Sequence, residues 1–560
     1  MSAKKSLPPD QAARDRIVRD LDTTFLVEAG AGSGKTKSLV DRMIALLATG
    51  RSEIGTLAAV TFTRKAAAQL RGRFQVELER ARLAAEDGAV RDRLDAALTG
   101  LERVFIGTIS SFCARLLRER PIEAGIDPDF RELEEHEDRV LRESAWDEYL
   151  GMARLENEAA LRGLDEAGLE PFELESAFAT LAGFADVTPA PGRDEPPDFG
   201  PARQALEDLL ALARVLVPRE RPEKGRDALQ QALVRSFRRQ DNLGFGDPRR
   251  LAETIELFEK ELGVTKIRWS PATDAKTLAA IGRIAGQAAV EEARRKCRDK
   301  GDLKALAYLV VETMQAAAET FRETHAVPTL RAWREFRHTR ALAFLRPAVE
   351  AYDKRRRDEA RLNFQDQLML AAELLRKNPE VRDYFRRRFH PVLVDEFQDT
   401  DPIQAEILFF LTGSTGDAER DRTERDWTAF RPAPGALFLV GDPKQSIYRF
   451  RRADIDIYNL VKERIVRAGG EVLELSTNFR SLGAIAEWIN PLFDPAREGL
   501  FPKESNAYQA GFIRLDPMRG PGTEPFSGVR RITVPAVPRH SKEPIADFDS
   551  RRLAGFLKWA

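Results

Sequence analysis

The segment AGAGSGKT, Ala29 to Thr36, contains residue types that can bind a phosphate chain. It follows the apolar run TFLVE and precedes a stretch with helical periodicity, so its glycines would form a tight turn between a strand and a helix. Backbone N–H groups of such a turn surround phosphate oxygens, while Lys35 supplies a positive charge and Thr36 a hydroxyl for Mg²⁺. The predicted nucleotide-binding residues of the loop are Ala29, Gly30, Ala31, Gly32, Ser33, Gly34, Lys35 and Thr36.

A second segment, VLVDEFQDT from Val392, has two adjacent carboxylates after three aliphatic residues. This context favours the end of a buried strand over a solvated helix face. There Asp395 can hold Mg²⁺ through water, and Glu396 can orient and deprotonate an attacking water. The two segments together predict a nucleotide-binding protein that transfers a phosphoryl group to water.

A third segment, GDPKQSIYRFRRADI from Gly441, combines an amide with alternating aromatic and cationic residues. The Gln445 amide can read a phosphate, and Tyr448, Phe450 and Arg451 follow within six residues. Aromatic rings stack on bases of any sequence, with about 1–3 kcal/mol per base. An aromatic residue taken alone belongs more often to a core, but these lie among arginines in a strand-end loop. The pattern favours a surface that holds a single strand.

The composition indicates a multidomain globular protein. With 560 residues, 43% of them hydrophobic and 32% charged, the chain is too long for one core. The opening MSAKKSLPPD lacks the apolar core of a signal peptide, so we expect a cytoplasmic protein. The net charge of −1 does not by itself indicate nucleic acid. The two cysteines, Cys113 and Cys297, lack the spacing of a zinc site or a disulfide framework.

Short apolar runs predict the strands of a parallel α/β sheet, because most of them are followed by helical periodicity. They begin at Thr24, Leu57, Val104, Val392, Ala436 and Val472. Residues 125–380 are instead long, charged and helical, and predict a helical insertion between strands of one sheet. The basic clusters Lys354–Arg357 and Arg386–Arg388 are interpreted as solvated helix faces, and residues 413–435 as a polar surface loop.

Five segments in chain order resemble the UvrD/Rep-type superfamily I DNA helicases. They are AGAGSGKT, AVTFTRKAAAQLR, VLVDEFQDTDPIQAEIL, LFLVGDPKQSIYRFRRADI and LSTNFRS. Two more, GTISSFCARLLRERPIEAGIDPDF and NFQDQLMLAAELL, resemble more closely the AddA/RecB helicase subunits of recombination exonucleases. The resemblance implies ATP and Mg²⁺ as ligands, single-stranded and duplex DNA as partners, and a second subunit of a helicase–nuclease complex.

The resemblance also implies a domain organisation. Residues 1–124 and 381–470 would form a discontinuous RecA-like P-loop domain, residues 125–380 an all-helical insertion, and residues 471–560 the start of a second RecA-like domain. Only 80 residues follow Arg480 (560 − 480), and they contain none of the family's later motifs. We therefore expect the N-terminal part of a longer enzyme, inactive if the second motor domain is incomplete. A naturally short subunit that does not unwind DNA is the alternative.

The resemblance adds to the residue roles at the nucleotide that the sequence itself indicates. Lys35 and Glu396 would be catalytic, Gln445 would sense the γ-phosphate, and Arg480 would contact it from the second domain. Phe479 would stack on adenine. Arg42 is similar to a residue that supports nucleotide binding, and Gln11 lies in the family's adenine-reading region.

The DNA-binding positions implied by the resemblance lie in three segments. Phe62 and Thr63 belong to the first, Ser110 to the second, and Tyr448, Phe450 and Arg451 to the third. Ser110 departs from the family pattern, which has a histidine there.

These observations predict an ATP-dependent DNA helicase, and the resemblance implies that it moves 3′ to 5′ and acts in double-strand-break repair. Two alternatives remain open: a P-loop switch with a protein partner, and a subunit that binds single-stranded DNA passively. No segment resembles a nuclease.

Overall fold

The computed structural model describes most of the chain. The described residues are 7–184, 186–216, 247–262, 283, 286–296, 302–447, 453–504, 506, 509–520, 522, 529–530 and 542–559. The chain divides into two compact units, one made of Met1–Leu133 with Ala360–Ala560 and the other of Glu134–Glu359.

Twelve strands occur among the described residues, all in the first unit. They are β1 (Phe25–Ala29), β2 (Ala58–Thr61), β3 (Phe105–Thr108), β4 (Arg131–Glu132), β5 (Arg361–Leu362), β6 (Val392–Val394), β7 (Gly413–Ser414), β8 (Arg431–Pro432), β9 (Leu437–Gly441), β10 (Glu471–Leu475), β11 (Thr477–Leu482) and β12 (Asp516–Arg519). Six of them form one sheet in the order β10-β1-β9-β6-β2-β3, and every pair in it is parallel. Each of the six coincides with a predicted apolar run.

Helices of the first unit cover both faces of this sheet. The described helices of this unit, not all of which contact the sheet, are Gln11–Arg19, Lys35–Thr49, Arg64–Ala84, Gly88–Thr99, Ile109–Glu119, Pro121–Ala124, Phe364–Lys377, Pro379–Arg388, Pro402–Thr412, Ala418–Thr423, Ile455–Arg467, Gly483–Phe493 and Lys542–Trp559. Side chains alternate between faces along a strand, so Leu26 packs into one core with Phe112, whereas Phe25 and Val27 pack into another with Met43. The predicted RecA-like α/β fold with a parallel sheet is confirmed.

The sheet unit extends further along the chain than its predicted boundaries. Strand β10 begins at Glu471 and pairs with β1, so the sheet continues past residue 470. Residues 125–133 and 360–380 also belong to this unit. Beyond β10, the parallel strands β11 and β12 flank the helix Gly483–Phe493 and form a small βαβ element. That this element begins a separate domain remains a prediction.

The second unit contains helices and no strand among its described residues. Its α-helices are Glu135–Glu156, Glu158–Glu166, Glu175–Gly183, Gly200–Leu216, Pro248–Leu262, Gln287–Lys296, Asp302–Thr320 and Val327–Asp358, with a π-helical segment at Phe321–Ala326. Aromatic side chains hold part of it together, since Trp146 stacks on Phe178 with ring centroids 4.9 Å apart. The predicted helical insertion is thus observed. Among the described residues of the chain, no helix has the length and apolar character needed to cross a bilayer.

The interpretation of the basic clusters as solvated helix faces is wrong for two of their arginines. Arg356 is 1% exposed, lies over the Tyr352 ring and pairs with Asp353 at 2.5 Å. Arg386 donates a hydrogen bond to the carbonyl oxygen of Phe410 at 3.1 Å. A guanidinium can bury its planar face while its N–H groups remain bonded, and a sequence pattern does not register this.

The prediction of a polar loop at residues 413–435 is also wrong. The segment contains the antiparallel pair β7–β8 and the helix Ala418–Thr423. Phe430 is buried, and the Trp427 ring packs edge-on against Phe409 at 5.0 Å between centroids. Phe430 and Trp427 anchor this segment to the core, although its many charged residues are typical of a loop.

Candidate nucleotide-binding and catalytic site

The phosphate-binding loop joins β1 to the helix Lys35–Thr49, as the sequence predicts. Gly32 and Gly34 have φ angles of 76° and 89°, in a region that glycine occupies without strain. A Cβ on Gly32 would lie 2.6 Å from the Cβ of Arg480 and 2.9 Å from Oδ1 of Asn478. The Ser33 hydroxyl is buried and has no hydrogen-bond partner in the described part of the chain. The loop therefore has an unused donor and a backbone that permits close approach.

Lys35 and Glu396 meet at the edge of the sheet where β1 and β6 end. The Lys35 ammonium donates to Oε2 of Glu396 at 2.5 Å, and the two side chains are 11% and 34% exposed. Glu396 has a φ of 54°, which is uncommon for a residue with a side chain and directs the carboxylate out of the strand line. The pair is partly open to solvent and can separate when a phosphate replaces the carboxylate.

Asp395 lies beside this pair in a buried position. The positive charge of Lys35 does not offset the effect of burial on the pKa of its carboxyl. Burial raises the pKa of its carboxyl to about 6, and the Glu396 carboxylate adds to the rise, while Lys35, the Glu396 amide and the Thr36 hydroxyl oppose it. A divalent cation would stabilise the ionised form. Asp395 and Thr36 therefore fit Mg²⁺. No group of three or more His, Cys, Asp or Glu side chains among the described residues suits a metal, so phosphate oxygens and water would complete the coordination.

A glutamine that was not predicted, Gln398, connects the Glu396 carboxylate to the loop after β9. Its Nε2 donates to Oε2 of Glu396 at 2.9 Å, and its Oε1 accepts from the Asp442 N–H at 2.8 Å. The Ser446 hydroxyl donates to the Gln398 carbonyl oxygen at 3.1 Å. Gln398 is 3% exposed and follows Glu396 by two residues in the VLVDEFQDT segment, which was the available signal.

The predicted sensor Gln445 lies at the far end of the same connection. Its Nε2 donates to Oδ2 of Asp442 at 2.7 Å. Hydrogen bonds and ion pairs therefore run without a break from Lys35 through Glu396, Gln398 and Asp442 to Gln445. Two residues, Ser446 and Ile447, lie between Gln445 and the aromatic and cationic segment. Tyr448, Phe450 and Arg451 lie outside the described residues.

Residues 477–480 are tied directly to the phosphate-binding loop. The Phe479 N–H donates to the Gly32 carbonyl at 2.9 Å, and Asn478 Nδ2 donates to the Ala31 carbonyl at 2.8 Å. Oδ1 of Asn478 accepts from the N–H of Arg480 at 2.8 Å. Phe479 is 42% exposed, so the part of its ring that Arg14 does not cover is open to a base. The structure brings Phe479 and Arg480 to the loop, as the sequence predicts.

Two predicted nucleotide-binding residues make other contacts. Arg42 is 1% exposed and donates to the carbonyl oxygens of Ile17, Asp20, Leu21 and Thr23, so it cannot touch a nucleotide in this conformation and instead fixes the segment before β1. Gln11 donates to Oδ1 of Asp15 on its own helix at 2.7 Å.

The described DNA-binding candidates lie near one another at the same edge of the sheet. Phe62 lines a small cleft together with Asp395 and Glu396. The Thr63 hydroxyl caps the helix Arg64–Ala84 by accepting from the Ala66 N–H at 3.1 Å. Ser110 donates to Oε1 of Gln367 at 2.7 Å. Of these residues, Phe62 lines this cleft with the carboxylates of Asp395 and Glu396.

The parallel sheet, the glycine-rich loop and the lysine–carboxylate pair define a P-loop nucleotide-binding protein. Residues 10–465 match the UvrD/REP helicase N-terminal domain, and the chain belongs to this family. The resemblance inferred from the five motifs is thereby confirmed.

Several bacterial relatives, all named as ATP-dependent helicase/nuclease subunits, are similar to most of the chain. One from Streptococcus pneumoniae is 29% identical over 503 residues, covering 84% of this chain and 38% of the relative. One from Levilactobacillus brevis is 28% identical over 521 residues, with 88% and 39% covered. One from Geobacillus thermodenitrificans is 28% identical over 502 residues, with 84% and 38% covered. The chain thus spans less than half the length of these relatives.

Proposed function

We propose that this chain hydrolyses ATP and uses the reaction to move along single-stranded DNA in the 3′ to 5′ direction, as the motor of a DNA helicase. The observation that carries the proposal is the unbroken connection from Lys35 to Gln445. It joins the phosphate-binding loop to the segment that bears Tyr448 and Phe450. A binding site for nucleotide alone would not need this connection.

Nucleotide binding would begin with an exchange of partners at Lys35. Phosphate oxygens of ATP replace the Glu396 carboxylate, because the loop N–H groups and the helix N-terminus favour the greater negative charge. Glu396 is then free to accept a proton from water, whose oxygen attacks the terminal phosphorus as the bond to ADP breaks. Bound Mg²⁺, held by Thr36 and Asp395, would neutralise negative charge on the phosphates.

Loss of the terminal phosphate would then change the contacts of Gln398. Glu396 regains Lys35 when the phosphate leaves, and Gln398 bonds both Glu396 and the Asp442 amide. The loop that contains Gln445 is thereby coupled to the state of the nucleotide. Phe62, beside the carboxylates, offers a second place where a base could stack.

The names of the relatives support an assembly with a second subunit, and we propose that this assembly acts in DNA-break repair. They are called subunits of helicase–nucleases, and one from Streptococcus pneumoniae is called exonuclease/helicase subunit RexA. We propose that this chain contributes the motor to such a complex. No nuclease role is assigned to its residues.

The test is steady-state ATP hydrolysis by the 560-residue chain with and without single-stranded DNA. We expect DNA to stimulate the parent, and Phe62→Ala to lose stimulation while retaining nucleotide affinity. Phe172→Ala is a matched control, since Phe172 is 70% exposed and lies in the helical unit. Hydrolysis that DNA leaves unchanged would contradict the proposal and support a P-loop switch. Salt-sensitive DNA binding without hydrolysis would support passive binding of DNA.

A further inference from the structure

Asp10 and Arg14 form a partly buried ion pair next to the nucleotide site. Arg14 donates from Nε and Nη2 to the two carboxylate oxygens of Asp10, at 2.9 and 2.8 Å. Oδ2 of Asp10 also accepts from the Thr477 N–H at 3.1 Å. Burial alone would raise the pKa of the Asp10 carboxyl, but the hydrogen bonds from Arg14 and Thr477 lower it, so Asp10 is ionised. The bidentate contact fixes the plane of the guanidinium.

The guanidinium is held against the ring on which a base would stack. Its central carbon lies 5.0 Å from the centroid of Phe479. Nη1, the nitrogen that Asp10 does not bind, lies 3.7 Å from the place a Cβ on Gly34 would occupy. Arg14 therefore presents its remaining N–H groups between the phosphate-binding loop and Phe479, where Gln11 was expected to act.

The charge of this arginine is balanced before any ligand arrives. With the Asp10 carboxylate 2.8 Å away, the pair has no net charge, while Nη1 of Arg14 still offers hydrogen-bond donors. A phosphate would therefore gain less from this pair than from an unpaired arginine, whereas a neutral base needs only the donors. The arrangement suits a base edge better than a phosphate oxygen.

We propose that Arg14, oriented by Asp10, is the residue that recognises the base, and that it contacts N7 of a purine and accepts guanine as well as adenine. An amide can donate to N7 and accept from N6 of adenine, and so selects adenine. A guanidinium can only donate, and its acceptors are N7 of either purine and O6 of guanine. This inference rests on the proposed function only in that it requires a nucleotide at the phosphate-binding loop. It requires neither DNA binding nor hydrolysis.

The experiment is calorimetric titration of the 560-residue chain with Mg²⁺ and ADP, GDP or 7-deaza-ADP, without DNA. We expect ADP and GDP to bind with similar affinity, and 7-deaza-ADP, which lacks the N7 acceptor, to bind about tenfold more weakly than ADP. In Arg14→Ala this difference between ADP and 7-deaza-ADP should disappear. In Arg14→Gln the ratio of ADP to GDP affinity should rise about tenfold. Arg19→Ala is the control, since Arg19 is on the same helix with its side chain 81% exposed.

Equal binding of ADP and 7-deaza-ADP by the parent would overturn the inference, even if the Arg14 variants fail to fold. Exclusion of GDP by the parent would do the same, as would an unchanged ADP to GDP ratio in Arg14→Gln. A purely structural role for Arg14 would weaken all three ligands alike. If the affinity ratios are as expected but DNA does not stimulate hydrolysis, the inference stands and the proposed function is refuted. If no nucleotide binds at all, both are overturned.

Discussion

Lys35 and Glu396 are 361 positions apart in sequence, yet the ammonium of one lies 2.5 Å from a carboxylate oxygen of the other. In this contact the lysine ammonium is paired with the carboxylate that would later remove a proton from water. If Glu396 is the base, as we propose, it is free to act only after a phosphate has taken its place at Lys35. Hydrolysis would then depend on a nucleotide occupying the loop.

Glu396→Gln should retain nucleotide affinity and lose turnover by about 10²–10⁴-fold, because the amide cannot accept the proton of the attacking water. Lys35→Ala should lose affinity, because the phosphates then lack their compensating charge. Calorimetry for affinity and steady-state phosphate release for turnover separate the two effects. A turnover rate in Glu396→Gln close to that of the parent would remove Glu396 as the base.

Gln398→Ala should lower ATP hydrolysis by up to about 100-fold, because small misplacements of a catalytic group are costly. The substitution also leaves the buried N–H of Asp442 without its acceptor. Gln75→Ala is the matched control, since Gln75 is exposed and bonds only Glu79 in the described contacts. If both variants hydrolyse ATP at the parent rate, Gln398 does not position Glu396.

Gly32→Ala should weaken nucleotide binding and lower the thermal midpoint of unfolding, because its Cβ would meet Arg480 at 2.6 Å and its φ is 76°. Gly72→Ala should instead raise the thermal midpoint of unfolding. Gly72 lies in the helix Arg64–Ala84 with nothing within 4 Å of its added Cβ, so alanine should stabilise the protein by about 1 kcal/mol. Thermal melts of both variants with and without ADP test the pair, and a tolerant Gly32 would mean that residues 477–480 do not dock on the loop.

Asp399→Asn should change how stability depends on pH. Burial raises the pKa of the Asp399 carboxyl from 3.8 to about 6, with Glu396 adding to the rise and Lys35 opposing it. The folded protein then binds this proton more tightly than the unfolded chain, so its stability falls as the pH rises from about 4 to about 6. The variant lacks this loss and should melt increasingly above the parent across that window. A difference in melting temperature that does not vary with pH would refute the assignment.

The sequence predicts this site well wherever strand order alone decides the outcome. Uninterrupted apolar runs identify six parallel strands, and residues at their carboxyl ends must share one edge, which brings Lys35 and Glu396 together. The part played by Gln398 depends on the register of β9 against β6, which the pattern does not specify. Arg14 follows Gln11 by three positions, about one helical turn. Only the docking of their helix on Thr477 shows that the Arg14 side chain lies against Phe479.

The most direct test of the central claim measures how the nucleotide alters the grip on DNA. The affinity of the 560-residue chain for a labelled oligothymidylate would be determined by fluorescence anisotropy with no nucleotide, with ADP and with a non-hydrolysable ATP analogue. A connection from Lys35 to Gln445 that transmits the nucleotide state predicts affinities that differ by roughly 5–150-fold between the states, and a difference that Gln398→Ala removes. Equal affinities in all three states would contradict the account.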